Sequence, residues 1–249
     1  MQPRFALLSA LLSLFICAHA HAQQSQAALP DVSGLYAQHM VTTARSSIPV
    51  FGDVVTSTHT YALVKVAQAE AGSLTMTEQI CNIRIVSSDK KIKTIVPKGF
   101  QRAVSGQTRS GYLKRDASGA VKMSFPGKLT VFGAKLSNPR KDALPDDEDD
   151  RRLVDADGDG KPGLTIKVRG MIDGELYIVT RGWNKLSALL PATPSVIKGG
   201  VKWVNNQSVV DATSMFLKAQ LETKPDKRAS KNTFVWKKLA PDATCAQVK

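Results

Sequence analysis

The chain has 249 residues, 43% of them hydrophobic, and carries 34 Lys and Arg against 21 Asp and Glu, a formal charge of +13. That length suffices for one large all-β domain or two small ones with a proper core. No stretch approaches the roughly eighteen apolar residues of a membrane-spanning helix, and the basic excess directs attention to polyanionic partners such as envelope polymers rather than nucleic acid.

Met1 to Ala22 has the three-part layout of a secretory signal peptide: Arg4, an apolar run from Phe5 to Cys17, and a small-residue exit ending at Ala22. The expected location is therefore the periplasm or the exterior. Residues 23–31, with Gln, Ser, Ala and Pro30, have no apolar period and read as a disordered spacer. The remainder, 32–249, reads as the folded β-rich part.

With Cys17 gone, Cys81 and Cys245 remain, and in an oxidising compartment they pair with each other. The alternative is two buried free thiols.

Short alternating runs rich in Val, Ile, Thr, Tyr and Phe follow Val32, as half-buried strands require. The expected strands are Gly34–Thr43, Val54–Val66, Ser73–Val86, Lys91–Val96, Gly111–Lys114, Ala120–Phe125 and Lys128–Phe132. Thr58, Thr60, Ala62, Val64 and Val66 share one face of the second; His59, Tyr61, Leu63 and Lys65 share the other. In the third, Leu74, Met76 and Ile80 give way to Cys81, Ile83 and Ile85, a change of face that implies a bulge or a crossing between sheets. Short turns imply antiparallel order, and no helical period of the length a parallel α/β fold needs is present.

Residues 137–163 interrupt this pattern with nine acidic residues between Asp142 and Asp159 and no strand or helix signal. Such a length marks a functional loop, a connection between two β halves or a disordered tether. Strands resume at Leu164–Val168, Glu175–Thr180, Gly200–Val204 and Thr233–Leu239, with a turn expected at Asn205-Asn206. Ser208–Leu221 fits a helical stripe and a buried strand equally. The fold expected is all-β, an antiparallel barrel or sandwich, with two β halves joined by the acidic loop as one arrangement of it.

The chemistry-bearing stretch is Asp155-Ala156-Asp157-Gly158-Asp159-Gly160-Lys161-Pro162-Gly163. Alternate aspartates followed by glycine let a short loop wrap a hard cation with oxygens inward, and the main-chain carbonyl of Lys161 is the next ligand in order. The stretch resembles the calcium loop of EF-hands, thrombospondin type 3 repeats and FG-GAP/VCBS propeller repeats. The resemblance covers about ten residues and implies calcium at Asp155, Asp157, Asp159 and Lys161. Ile166 stands where an EF-hand has its bidentate glutamate, and Gly163 where propeller loops have another aspartate. The run Asp146–Asp150 is the expected source of the missing ligand, and the affinity expected is on the order of 10⁻⁴–10⁻³ M. Separately, Ser33-Gly34-Leu35-Tyr36 resembles the first strand of lipocalin-like barrels, with Tyr36 in place of tryptophan.

Catalytic signals are sparse: His39 and His59 lie inside expected strands, and neither a His-Glu-x-x-His nor a Gly-x-Ser-x-Gly motif occurs. The basic residues group instead, with Lys90, Lys91, Lys93 and Lys98 in one cluster and a second surrounding Trp236. Together they form an expected polyanion site, unless they are lysines guarding strand edges. The functional expectation is an exported, non-enzymatic β-domain with a structural calcium loop that binds a small molecule or an envelope component. The alternative is a secreted hydrolase of polymers using acidic residues as acid and base.

Overall fold

The computed structural model describes residues 28–48, 52–218 and 223–248, so the expected signal peptide and most of the expected spacer lie outside the described residues. Residues 28–31 have no regular secondary structure, and Leu29 packs on the main core. Twelve antiparallel strands form one sheet. The first seven are β1 (Gly34–Ile48), β2 (Gly52–Gln68), β3 (Ser73–Ser87), β4 (Ile92–Ile95), β5 (Gln107–Arg115), β6 (Val121–Phe125) and β7 (Thr130–Phe132). Beyond the acidic loop come β8 (Leu164–Gly170), β9 (Gly174–Leu190), β10 (Val196–Ala212), β11 (Thr223–Pro225) and β12 (Thr233–Leu239). One helix, α1 (Lys98–Ala103), follows β4.

Eight strands close into a ring in the order β1, β2, β3, β5, β6, β9, β10, β12, so strands from before and after the acidic loop share one barrel rather than forming two halves. β8 and β4 extend the wall from the first part of β9.

Two corrections to the expected elements follow from pairing. β9 runs ten residues past Thr180, because β6, β7 and β8 bond to one flank of it and β10 to the other; this two-sided ladder overrides the weak strand preference of Lys185 to Leu190. Asn205-Asn206 is no turn but the middle of β10, opposite Gly182 and Arg181. Of the stretch 208–221 that read equally as helix or strand, the part through Ala212 is strand and 213–217 are bend and turn, while 219–221 lie outside the described residues.

The face change expected in β3 is a bulge. Ala62 faces Ile80 and Tyr61 faces Asn82, leaving Cys81 as the extra residue. Its sulfur stands at disulfide distance from that of Cys245, with a Cα separation of 5.3 Å, so the C-terminal tail is tied to the side of the barrel. The bulge also keeps Ile83 and Ile85 inward after Met76 and Ile80, where a regular strand would have turned them out.

The ring has two unlike halves. In the lower half the inward side chains are large: Trp236, Tyr36, Phe125 and Phe234 are fully buried, and the other three rings lie 5.4–5.8 Å from Trp236 in tilted geometry. In the upper half the same strands carry Thr42, Ala44, Thr56, Thr58 and Thr180 inward, too small to meet across the barrel. Here β3 beyond Glu78 pairs only with β2 among the described residues, and the segment 98–106 seals the gap. Gly106 N donates to Glu78 O at 2.8 Å and Ile80 N to Ser105 Oγ at 2.9 Å. A hollow chamber results.

Candidate functional site: a cation loop against the wall of an interior chamber

The acidic loop is not a tether. Leu136, Leu144 and Leu153 pack on Ala134, Tyr177, Val179 and Val210. Main-chain bonds from Lys135 to Arg152 and from Val154 to Gly133 hold its ends together. From that base the chain turns through Gly158 and Gly160, both at positive φ that side chains rarely adopt, and returns at Gly163. A Cβ at Gly163 would lie 2.4 Å from the carbonyl oxygen of Ile178, which requires glycine there independently of any ligand.

This turn gathers the predicted aspartates: one oxygen each of Asp155, Asp157 and Asp159 lies within 4.8 Å of the others, close enough to hold a metal ion. Asp155 is the hub of the turn, accepting Gly158 N at 2.7 Å and Gly160 N at 2.8 Å. These amides, led by that of Gly160, hold its carboxyl below the usual carboxylate range. Asp159 accepts the Thr165 hydroxyl at 2.6 Å and the Lys161 amide at 3.0 Å.

Asp157 differs from both. It is 8% exposed, its Oδ2 accepts Thr165 N at 2.9 Å, and its Oδ1 is buried with no partner. Burial, reinforced by the charges of Asp159 and Asp155, pushes its pKa up. An orphaned carboxylate oxygen between two like charges is costly unless a cation meets it, and all-oxygen donors suit a hard ion. The residues therefore fit a hard metal ion.

Lys161, expected to ligate through its main-chain carbonyl, turns its ammonium aside, 5.8 Å from the Tyr177 ring centroid. No residue of the run 146–150 joins the three clustered aspartates. Asp150 is taken by the Arg152 guanidinium at 2.6 Å, which holds its carboxyl down to about 2. The Ile166 side chain carries no oxygen, and the fold uses it otherwise: it is buried with Leu164, Ile178 and Val209 in the chamber wall.

That wall links loop and chamber. Ala156 packs in the same cluster as Phe100 and Ile166, and Gly99 of α1 approaches so closely that a Cβ would stand 2.8 Å from the Asp157 carbonyl oxygen. The chamber has a volume of about 570 Å³, within the range of about 300–1,000 Å³ typical of small-molecule sites. Its lining is two-faced. β1 and β2 present Thr42, Ser46, Thr56 and Thr58, whereas β3, α1, β8 and β9 present Ile83, Ile85, Phe100, Val168 and Leu176.

Below it a smaller space of about 270 Å³ reaches a polar layer that caps the aromatic core. Trp236 Nε1 donates to Gln38 Oε1 at 2.7 Å, and Gln38 in turn donates to Glu78. Arg109 Nη1 donates to the main-chain oxygen of Asn184 at 3.1 Å and to its Oδ1 at 2.6 Å, the only hydrogen bonds of its side chain among the described residues. Burial lowers the pKa of Arg109 against the opposing charge of Glu78. The parity of Arg109 with buried Leu113 on β5 is the local signal that it faces inward.

The polyanion site requires a correction. Trp236 is 0% exposed and has the parity of Phe234, so it is the centre of the core and cannot pack on an external polymer. Lys90, Lys91, Lys93 and Lys98 are exposed; Lys93 lies on β4, where the sheet ends, as a protected edge would have it. His39 and His59 meet outside the barrel, nitrogen to nitrogen at 3.0 Å, with the Tyr61 ring stacked 4.6 Å from that of His39.

No family model, curated protein or solved structure matches this chain. No described helix is long and apolar enough to cross a membrane.

Proposed function

We propose that this protein is an exported, non-enzymatic β-barrel that holds one small, largely apolar molecule or envelope component in its upper chamber, with calcium in the acidic loop as a structural clasp on the chamber wall. The observation that carries the reading is the hollow itself: eight strands close around a plugged lower half and leave the upper half empty of side chains, with apolar walls and a few convergent polar groups. The disulfide pair supports export, since such bridges persist in oxidising compartments. Calcium is supported by the orphaned Asp157 oxygen, and its role as a clasp by the shared cluster of Ala156, Phe100 and Ile166. The hydrolase alternative needs paired carboxylates across a groove, whereas Glu78 is the one carboxylate among the described lining residues of the two spaces.

Titration of the purified protein with a panel of apolar fluorescent probes tests the chamber. Saturable binding is expected, abolished by Thr58→Phe, which fills the space; binding that survives this substitution places the ligand elsewhere. Calorimetry with calcium tests the clasp: heat in the wild type and none in Asp157→Asn is expected, and equal heats in both would reject the site.

A further inference from the structure

The outer wall of the lower barrel carries a feature separate from both loop and chamber. β5, β6, β9 after Thr180, β10 before Asp211 and β12 contain no Asp or Glu, yet they are rich in Lys and Arg. The register sets like charges directly opposite each other twice, Lys114 against Lys122 and Lys185 against Lys202. None of these four forms an ion pair among the described residues. Directly opposed like charges destabilise a sheet, so this wall carries charge at the expense of stability.

Large apolar side chains stand exposed between these lysines. Leu189, 66% exposed, pairs with Lys122; Trp183 pairs with Val204 in the row beside Lys185 and Lys202; Val196 pairs with Lys237. Beside Trp183 a shallow groove of about 520 Å³ is bordered by Arg140, Arg181 and Lys185. The groove reaches the acidic loop where Arg181 donates to the carbonyls of Pro139 and Asp142.

We infer that this wall docks on an anionic lipid surface, the lysines meeting headgroup phosphates while Trp183, Leu189, Val196 and Val204 sit at the headgroup boundary. The lysines alone suit any polyanion, but exposed leucine and valine gain nothing from a hydrated polymer and do gain from the edge of a hydrocarbon layer. A tryptophan among them suits the same boundary. Each lysine near such a surface is worth enough for about a fivefold gain in partitioning, and the gain fades with added salt.

The test is co-sedimentation of the full protein with vesicles of phosphatidylcholine alone or mixed with phosphatidylglycerol. Binding to the mixed vesicles only, weakened by salt, is expected. Lys185→Gln with Lys202→Gln should lower partitioning by about 30-fold while raising the melting temperature, because the opposed charges are relieved; a folding defect would move both the other way. Leu189→Ser should lower it by roughly fivefold without changing retention on heparin. Lys90→Gln with Lys91→Gln, the same loss of charge elsewhere, should leave binding unchanged. Equal binding to both vesicle types, wild-type binding by the Lys185/Lys202 variant, or an equal loss in the Lys90/Lys91 control would overturn the inference. Loss of heparin retention with vesicle binding unaffected by Leu189→Ser would assign the wall to a soluble polyanion instead.

Discussion

Strands β1, β2, β9 and β10 run through both halves of the barrel, yet the lower half is filled and the upper half hollow. The backbone ladder is continuous, so hydrogen bonding does not make the difference. Side-chain volume does: where the lower half places Tyr36, Phe125, Phe234 and Trp236, the upper half places Thr42, Ala44, Thr56 and Thr58. Protein interiors tolerate few voids, so a chamber of this size is stable only where a wall of secondary structure holds it open. That wall is β8, α1 and the acidic loop behind them. The lower half is thus the source of stability, and the upper half, relieved of that task, is left hollow.

The largest expected effect lies between the halves. Replacing both Cys81 and Cys245 by serine should cost up to ~5 kcal/mol in urea unfolding, since the bridge closes a separation of 164 residues. An unchanged midpoint would mean the tail contributes nothing to the barrel.

Next, Trp236→Ala should cost about 3–5 kcal/mol, whereas Thr58→Val in the chamber should stay within about 0.5 kcal/mol. Equal costs would erase the distinction between plug and hollow.

Adding volume reverses the logic. Gly111→Ala, whose Cβ would stand 2.4 Å from the Phe125 ring, should cost about 1–3 kcal/mol. The much larger Thr58→Leu should fold normally and only reduce binding of an apolar probe.

Calcium should raise the melting temperature of the wild type but not of Asp157→Asn. At a hundredfold excess over Kd the gain corresponds to ~2.7 kcal/mol. Because a proton competes for the same carboxylates, the gain should shrink on acidification.

The smallest effect is that of the outer histidine pair. Burial, helped by Arg84, holds His39 below the usual 6.5, and burial, helped by His39 and Arg84, does the same for His59. The unfolded chain therefore takes up protons at higher pH than the folded one. The pair's contribution is present above 6.5 and is lost as the pH falls from there. His39→Gln with His59→Gln should flatten the stability profile below that pH, and an unchanged slope would show that the pair is energetically silent.

Much of this molecule was legible from residue order. The parity of Thr58 to Val66 grouped the side chains that β2 turns inward, and the change of face from Ile80 to Ile83 called for a bulge or a crossing, of which the pairing with β2 gives the bulge. The Asp-x-Asp-Gly-Asp-Gly spacing located the carboxylate cluster, because a short turn of that composition has few ways to close. Legibility failed where a residue's surroundings come from distant strands. Trp236 read as a surface aromatic among lysines because its neighbours in sequence are outward, while its neighbours in space, Tyr36, Phe125 and Phe234, come from three other elements.

The sequence by itself pointed to an all-β antiparallel fold, to Cys245 as the partner open to Cys81 and to the three clustered aspartates, since these rest on alternation, counting and spacing rather than on neighbours in space. Tertiary structure alone decided that the strands close into one ring, that Arg109 faces inward and Trp236 is buried, that the upper half is hollow, and that acid-free segments of five strands stand side by side. Those properties depend on which strand lies next to which, and adjacency between residues far apart in the chain is set by the closure of the sheet rather than by any local pattern.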